Sequence, residues 1–210
     1  PKDISEELML VMADLPTVCE HLHLPVQSGS SRILRLMNRG YTAEEYLEKV
    51  TKLRRHIPEI NLTTDIIVGF PGETDEDFEE TRALFERVQY DGAYIFKYSP
   101  REGTAAARME GGVDKEIIKR RHRQLLDLQK DISRTRLARL IDSLQVVLPE
   151  ESDSKRSGHL LGRTRGHRTA TFRAPERHIG NEVLVRIVRA DGWTLVGELV
   201  NIEGKAAPEN

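Results

Sequence analysis

Three stretches constrain this chain more than anything else in it: HLHLPVQSGS at 21–30, TDIIVGFPGET at 64–74 and IFKYSPREGT at 95–104. Each is an apolar run that stops at a turn of Gly, Ser or Pro. Between them lie segments of about thirty residues with helical periodicity, a length that joins parallel strands through crossovers. Parallel strands joined in this way bring their trailing loops to one rim of the sheet, where α/β proteins bind ligands. The three polar turns are therefore the first place to look for chemistry.

Taken in order, Asp3 with Glu6 forms a helix start, and Ile4, Leu8, Val11 and Leu15 recur on one face before Pro16. The alternation from Val18 to Val26 predicts a strand, and Ser28-Gly29-Ser30-Ser31 turns it into a short helix through Ile33, Leu34 and Met37, closed by Arg39-Gly40. Thr42 with Glu45 reads as a capping box whose helix buries Tyr46, Leu47, Val50, Leu53 and Ile57, and Pro58 ends it. A strand follows at 61–68, where Ile66-Ile67-Val68 suits burial on both faces. Thr74 with Asp77 opens the next helix, Asp91-Gly92 turns it, and Ala93 to Tyr98 is the third strand. One long basic helix is predicted over 114–140. Beyond it the texture changes to short β-rich runs at 144–149, 159–163, 168–173, 182–189 and 193–200, separated by Gly, Asp, Ser and Pro turns. That pattern predicts a small five-stranded antiparallel barrel. The expected division is 1–142 for the α/β part, 143–203 for the barrel and 204–210 for a frayed tail.

Composition narrows the function classes. No run approaches the apolar length of a membrane span, and no signal-peptide pattern opens the chain, so a cytoplasmic protein without a membrane partner is expected. A single cysteine, Cys19, leaves no disulfide framework and no multi-cysteine metal site within these residues. Residues 1–113 carry 13 Lys/Arg against 20 Asp/Glu, whereas 155–189 carry nine basic residues against only Glu176 and Glu182. Such asymmetry points to a polyanionic partner for the C-terminal part, with a solvated arginine face as the plain alternative.

Candidate site residues follow from the turns. Gln27 and Ser28 offer an amide and a hydroxyl beside Gly29, as a ribose or carboxylate requires, although serines at a helix start also serve as caps. The apolar strand end Ile66 to Val68 joins Gly69 and Gly72, where a flat ring could lie against bare backbone. Glu73 either meets a ligand or favours the positive end of the next helix. Arg101, near Tyr98 in the third loop, suits a carboxylate or phosphate, or else pairs with Glu102. His21 and His23 share a strand face, but no third ligand lies nearby in sequence, so a packing role is expected rather than metal binding. In the C-terminal barrel, Arg163, Arg165, Arg168 and Arg173 interleave with His167 and Phe172, basic groups for phosphates and rings for bases. Trp193 sits in a turn, with a core role as its alternative.

Together, HLHLPVQSGS, RILRLMNRGYT, TDIIVGFPGETDEDF and YSPREGTAA, in this order and spacing, resemble the radical S-adenosylmethionine methylthiotransferases, most closely the branch acting on a modified adenosine beside the anticodon of tRNA. LLGRTRGHRTATF with GNEVLVRI and TLVGEL resembles the TRAM domain that closes those enzymes. The resemblance implies a partial (βα) barrel of three units followed by a TRAM barrel. It implies S-adenosylmethionine contacts from Gln27, Ser28, Ile67, Val68, Gly69, Phe96, Tyr98 and, as a polar contact, Arg101. It implies an anticodon stem-loop gripped by Arg163, Arg165, His167, Arg168, Phe172 and Arg173. The family's iron–sulfur clusters are held by cysteines outside this sequence, so the resemblance implies a C-terminal portion, inactive without the missing N-terminal half, with a sheet edge exposed. The related branch, which modifies an aspartate of a ribosomal protein, and a non-catalytic RNA-binding module are the alternative readings.

Overall fold

The computed structural model describes residues 1–200. The frayed tail expected at 204–210, and the last residues of the predicted barrel domain, lie outside the described residues. Contacts divide the chain into two compact units, one formed by Pro1–Val18 with Leu22–Ile132 and the other by Cys19–His21 with the residues from Ser133 onward.

The first unit is an α/β arrangement of α1 (Glu6–Asp14), β1 (His21–His23), α2 (Ser31–Leu36), α3 (Ala43–His56), β2 (Asn61–Val68), α4 (Asp75–Val88) and β3 (Gly92–Lys97). A further helix, α5 (Lys115–Ala138), follows. Its sheet has the order β1-β2-β3, with β2 and β3 parallel in register Asp65↔Tyr94 and Ile67↔Phe96. Both capping boxes form as the sequence predicts. Thr42 Oγ1 accepts from Glu45 N at 3.2 Å while Glu45 Oε2 accepts from Thr42 N at 2.8 Å, and Thr74 with Asp77 repeats the exchange. Leu62, Ile66 and Val68 from β2 join Tyr46, Val50 and Leu53 of α3, Phe78 and Phe85 of α4 and Leu125 of α5 in one core.

Several expectations change. The cap of α1 is Ser5, whose hydroxyl accepts from Leu8 N at 3.1 Å, rather than Asp3. The helix also turns Met9 inward and leaves Leu8, Val11 and Leu15 exposed. It carries two apolar stripes, and packing on α3, not periodicity, selects the Met9 side. The left-handed residue after α2 is Asn38, with φ 57°, instead of Gly40. The first strand shortens to three residues; after the Leu24 N–H bond to Thr63 O, Pro25 has no N–H for a ladder, and pairing resumes as the bridge Gln27↔Ile66. On β2, Ile67 is half-buried between the buried Ile66 and Val68, so the run packs on one face only.

The second unit is a closed barrel of β4 (Leu144–Ser152), β5 (His159–Thr164), β6 (Thr169–Arg173), β7 (Val183–Asp191) and β8 (Thr194–Leu199), in the order β4-β5-β6-β8-β7. All neighbours are antiparallel except β6 and β8, which run parallel. The fully antiparallel expectation is corrected on that point. Strand alternation reports spacing but not direction, and β7 intervenes in sequence between the two strands that finally pair. Bulges at Pro149/Glu151 and Ile187/Arg189 supply the bending that closure of so few strands requires. Val147, Leu160, Ala170, Phe172, Val185, Ile187 and Leu195 fill the interior.

Candidate functional site

The rim of the first unit is built from its three turns. Gln27 adopts φ 75°, a left-handed conformation unusual for a residue with a side chain. Its N–H donates to Asp65 O at 2.9 Å and its carbonyl accepts from Ile67 N at 2.9 Å, which joins the turn to β2. Gly29 N donates to Thr81 Oγ1 at 2.9 Å, so the QSGS turn lies directly on α4. Ser28 is buried and its hydroxyl accepts from Ser30 N at 3.1 Å. That bond shapes the turn and uses one acceptor site of the Ser28 hydroxyl.

Ser30 Oγ donates to Asp77 Oδ1 at 2.6 Å, and Arg32 grips the same carboxylate through Nε and Nη2. Burial alone would raise the Asp77 carboxyl, but the bonds from Arg32, Ser30 and Thr74 outweigh it and hold the group well below the ordinary carboxylate range. A carboxylate depressed on folding stabilises the native state above its unfolded value, here 3.8, and loses that contribution as pH falls below it. Asp77→Asn is accordingly expected to lower stability by about 1–3 kcal/mol at pH 7 and by progressively less below pH ~4, as measured by urea unfolding across pH. A pH-independent loss would contradict the charged role.

The second turn is clamped from below. Gly69 and Gly72 take φ of 77° and 80°, and the space that a Cβ on Gly69 would occupy is filled by Ile118 of α5, at 2.4 Å. Glycine there serves this close approach as well as the open backbone inferred from sequence. Glu73 Oε2 accepts from Gly69 N at 2.8 Å and from Arg121 Nη1 at 2.6 Å, while Arg121 Nη2 donates to Asp75 at 2.8 Å. Both Glu73 and Arg121 side chains are almost wholly buried, and the guanidinium lies 5.5 Å over the Phe78 ring. Burial pushes the Glu73 carboxyl above its usual range, opposed by the Gly69 N–H and Arg121. Of the two sequence readings for Glu73, neither ligand contact nor helix dipole describes it; it is the buried anchor of the loop.

In the third turn Tyr98 N donates to Val68 O at 2.8 Å, and the Tyr98 ring meets Phe70 edge-on at 5.3 Å. The Tyr98 hydroxyl is buried with no hydrogen-bond partner among the described residues. Arg101 is exposed, and no ion pair with Glu102 forms among the described residues.

The sheet face opposite the helices carries what sequence reading missed. Asp65 and Tyr94 lie cross-strand beside Ile67 and Phe96, and Tyr94 and Phe96 are 61% and 52% exposed. His23 Nδ1 lies 2.9 Å from Thr63 Oγ1, and its Nε2 lies 3.4 Å from Asp65 Oδ1. His21 instead stacks on His167 at 4.9 Å. Two histidines at i, i+2 thus take unrelated partners. Asp65, a carboxylate directly before the apolar run Ile66-Ile67-Val68, was the available signal for this face.

In the second unit the predicted RNA residues separate. Arg163 stands on the outer barrel face, 3.7 Å from Glu150. Arg165 donates to Glu20 through Nε at 3.0 Å and Nη2 at 2.9 Å, so much of its fork is engaged within the unit. His167 occupies a left-handed turn with φ 57°, Arg168 N donates to Thr164 Oγ1, and Arg173 ends β6 exposed. Phe172 is fully buried in the barrel core. The expectation that Phe172 stacks a base is therefore corrected: along Thr-Ala-Thr-Phe-Arg the large ring is the natural plug, and closure points it inward. Trp193, offered as core, is 57% exposed.

Comparison with known proteins places this geometry. Residues 1–85 match the sequence model of the radical SAM superfamily. The chain is 50% identical over 202 residues to a tRNA-2-methylthio-N(6)-dimethylallyladenosine synthase of Thermoanaerobacter sp., covering 96% of this chain and 43% of that protein. It is 49% identical to the enzyme of the same name from Moorella thermoacetica and 43% identical to that from Aquifex aeolicus, again over 96% of this chain and 45% of each relative. The chain thus spans under half the length of these relatives. Among solved structures, coproporphyrinogen III oxidase (HemN) from Escherichia coli, a radical SAM enzyme, superimposes with a TM-score of 0.52 at 20% identity, covering 63% of this chain and 31% of that one, a likeness of fold alone. With the parallel strands and clamped glycine loop described above, these matches make the chain similar, over nearly its whole length, to a part of radical SAM enzymes named for tRNA methylthiolation.

Proposed function

We propose that this chain forms the cofactor-facing βα units and the RNA-gripping barrel of an enzyme that adds a methylthio group at C2 of a modified adenosine next to the anticodon. The observation that carries the reading is half-identity across nearly the whole chain to enzymes named for that product. On it, the first unit is the last three βα units of a radical SAM barrel, the second a TRAM barrel, and the setting cytoplasmic. No helix among the described residues is long and apolar enough to cross a membrane.

The rim fits S-adenosylmethionine. The buried, unpartnered Tyr98 hydroxyl is a polar atom left for a ligand or water, Gly72 has open space where a side chain would stand, and Phe96 lies exposed on the same face as Ile67. Gln27, Ser28, Ile67, Val68, Gly69, Phe96 and Tyr98 would hold the cofactor, with Arg101 at its polar edge. When bound, this cofactor supplies the methyl group and the radical chemistry of the family. An iron–sulfur cluster does not fit these residues: it needs several thiolates, and the sequence holds only Cys19. The chain is accordingly read as a binding portion whose catalysis depends on cysteines it does not contain.

The test is anticodon stem-loop binding measured by anisotropy at two salt concentrations. Changing Arg163, Arg168 and Arg173 to alanine is expected to weaken binding and to reduce the salt slope by about two, since each single-strand phosphate contact contributes about 0.7. Arg165→Ala should matter less because Glu20 already engages it. Absence of RNA binding by the unchanged chain would sink the tRNA reading in favour of a protein target.

A further inference from the structure

We infer that the β7–β8 hairpin tip is a stacking platform for an unpaired RNA base, with Trp193 as the stacking ring and Arg156 and Arg189 as the flanking cations. The inference rests on the RNA reading above and names a contact that reading did not contain.

The hairpin turns through Gly192, whose φ of 61° permits a two-residue connection between the paired Asp191 and Thr194. Such a tight turn leaves the next side chain no interior to enter, and Trp193 stands out from the tip. Arg156 Nη2 lies 2.6 Å and Arg189 Nη1 3.3 Å from the same oxygen of Asp191. One carboxylate, two residues before the exposed indole in the chain, therefore gathers two guanidinium groups, with a net positive charge remaining. The Arg189 side chain is 55% exposed, so it can turn a donor to a phosphate without leaving the tip.

The chemistry selects single-stranded nucleic acid over a protein partner on two grounds. The surrounding segment from 155 to 189 is strongly basic, which favours a polyanion. Trp193 is 57% exposed at the tip, and an exposed ring stacks on the face of an unpaired base without needing a complementary pocket. Phe172 is unavailable for this role because it plugs the barrel core. An exposed ring with cations on the same hairpin is what a splayed base and its neighbouring phosphates accept.

Trp193 is the only tryptophan in the sequence, so its fluorescence reports this one contact. The experiment titrates the chain with an anticodon stem-loop RNA and, separately, with a blunt RNA duplex, following Trp193 emission together with anisotropy of labelled RNA. The expected result is saturable quenching by the stem-loop in step with the anisotropy, and little quenching by the duplex. Trp193→Ala should weaken stem-loop binding roughly ten-fold with its salt slope unchanged, and Trp193→Phe should restore most of the affinity. Circular dichroism confirms that the exposed substitution leaves the fold intact. Stem-loop binding with unchanged emission and unchanged affinity in Trp193→Ala overturns the platform while leaving the RNA reading standing. Equal quenching by the duplex overturns base stacking in favour of backbone contact. No anisotropy change with either RNA overturns both.

Discussion

Arg121→Met is expected to destabilise the first unit by about 3–5 kcal/mol, because it removes one half of a buried ion pair and leaves the other half without compensation. Arg121 and Glu73 have side-chain exposures of 3% and 2%. The partners are 48 residues apart in sequence and close at 2.6 Å, and the same Glu73 oxygen also holds the Gly69 amide. Without the guanidinium, Glu73 must either stay ionised in a dry site or take up a proton. Burial already raises its carboxyl, and loss of Arg121 raises it further. A group whose folded value is raised binds more protons in the native state, so the penalty of the variant is largest at neutral pH and shrinks as pH falls through the raised value. Urea unfolding at pH 7 and pH 5 measures this. The double variant Arg121→Met with Glu73→Leu should recover much of the loss, since apolar replacement of both partners of a buried pair is often near neutral. A single-variant loss below about 1 kcal/mol would mean that the pair is not carrying the loop.

Gly162→Ala is the second large effect, and it falls on the barrel. A Cβ at that position would stand 2.2 Å from Leu148 O and 2.7 Å from Pro149 Cα, both backbone atoms of the bulged strand β4. No rotamer change relieves a clash with backbone, so the strand must separate from β5 or the bulge must move, at a cost of about 3 kcal/mol or more. Gly180→Ala is the matched control. Gly180 has φ 80° but nothing within 4 Å of its would-be Cβ, so only the left-handed strain of about 1 kcal/mol applies. Thermal unfolding of both variants should separate them clearly. Equal losses would show that conformational strain, not close approach, determines the requirement at 162.

Both predictions depend on relations that the linear order of residues conceals. The capping boxes at Thr42 and Thr74, the strand at 61–68 and the barrel strands were legible because their causes are local: a hydroxyl three residues from a carboxylate, an alternation of period two, a glycine turn. The three rim turns were legible for the same reason, and the loop glycines behave as turn residues. His21 and His23, expected to pack rather than to bind metal, take separate partners, one stacking on His167 and the other meeting Thr63 and Asp65. What was misread concerns the rings of the barrel. Phe172 looked like an available ring and is the plug, while Trp193, a core candidate, is the exposed one. Alternation separates the two faces of a strand but does not say which face closure will cover.

By itself, then, the sequence determined the element order, the helix starts at Thr42 and Thr74, the three polar turns at strand ends and the family resemblance. These follow from short-range hydrogen bonding and from periodicity, which a linear string records. Only the tertiary structure decided that Glu73 is an anchor held by Arg121, that Ile118 needs Gly69, that β6 and β8 run parallel, and that the open sheet face carries Asp65 beside Tyr94. Those outcomes depend on which distant groups are desolvated together, and in a buried pair or a closed barrel that is settled by packing.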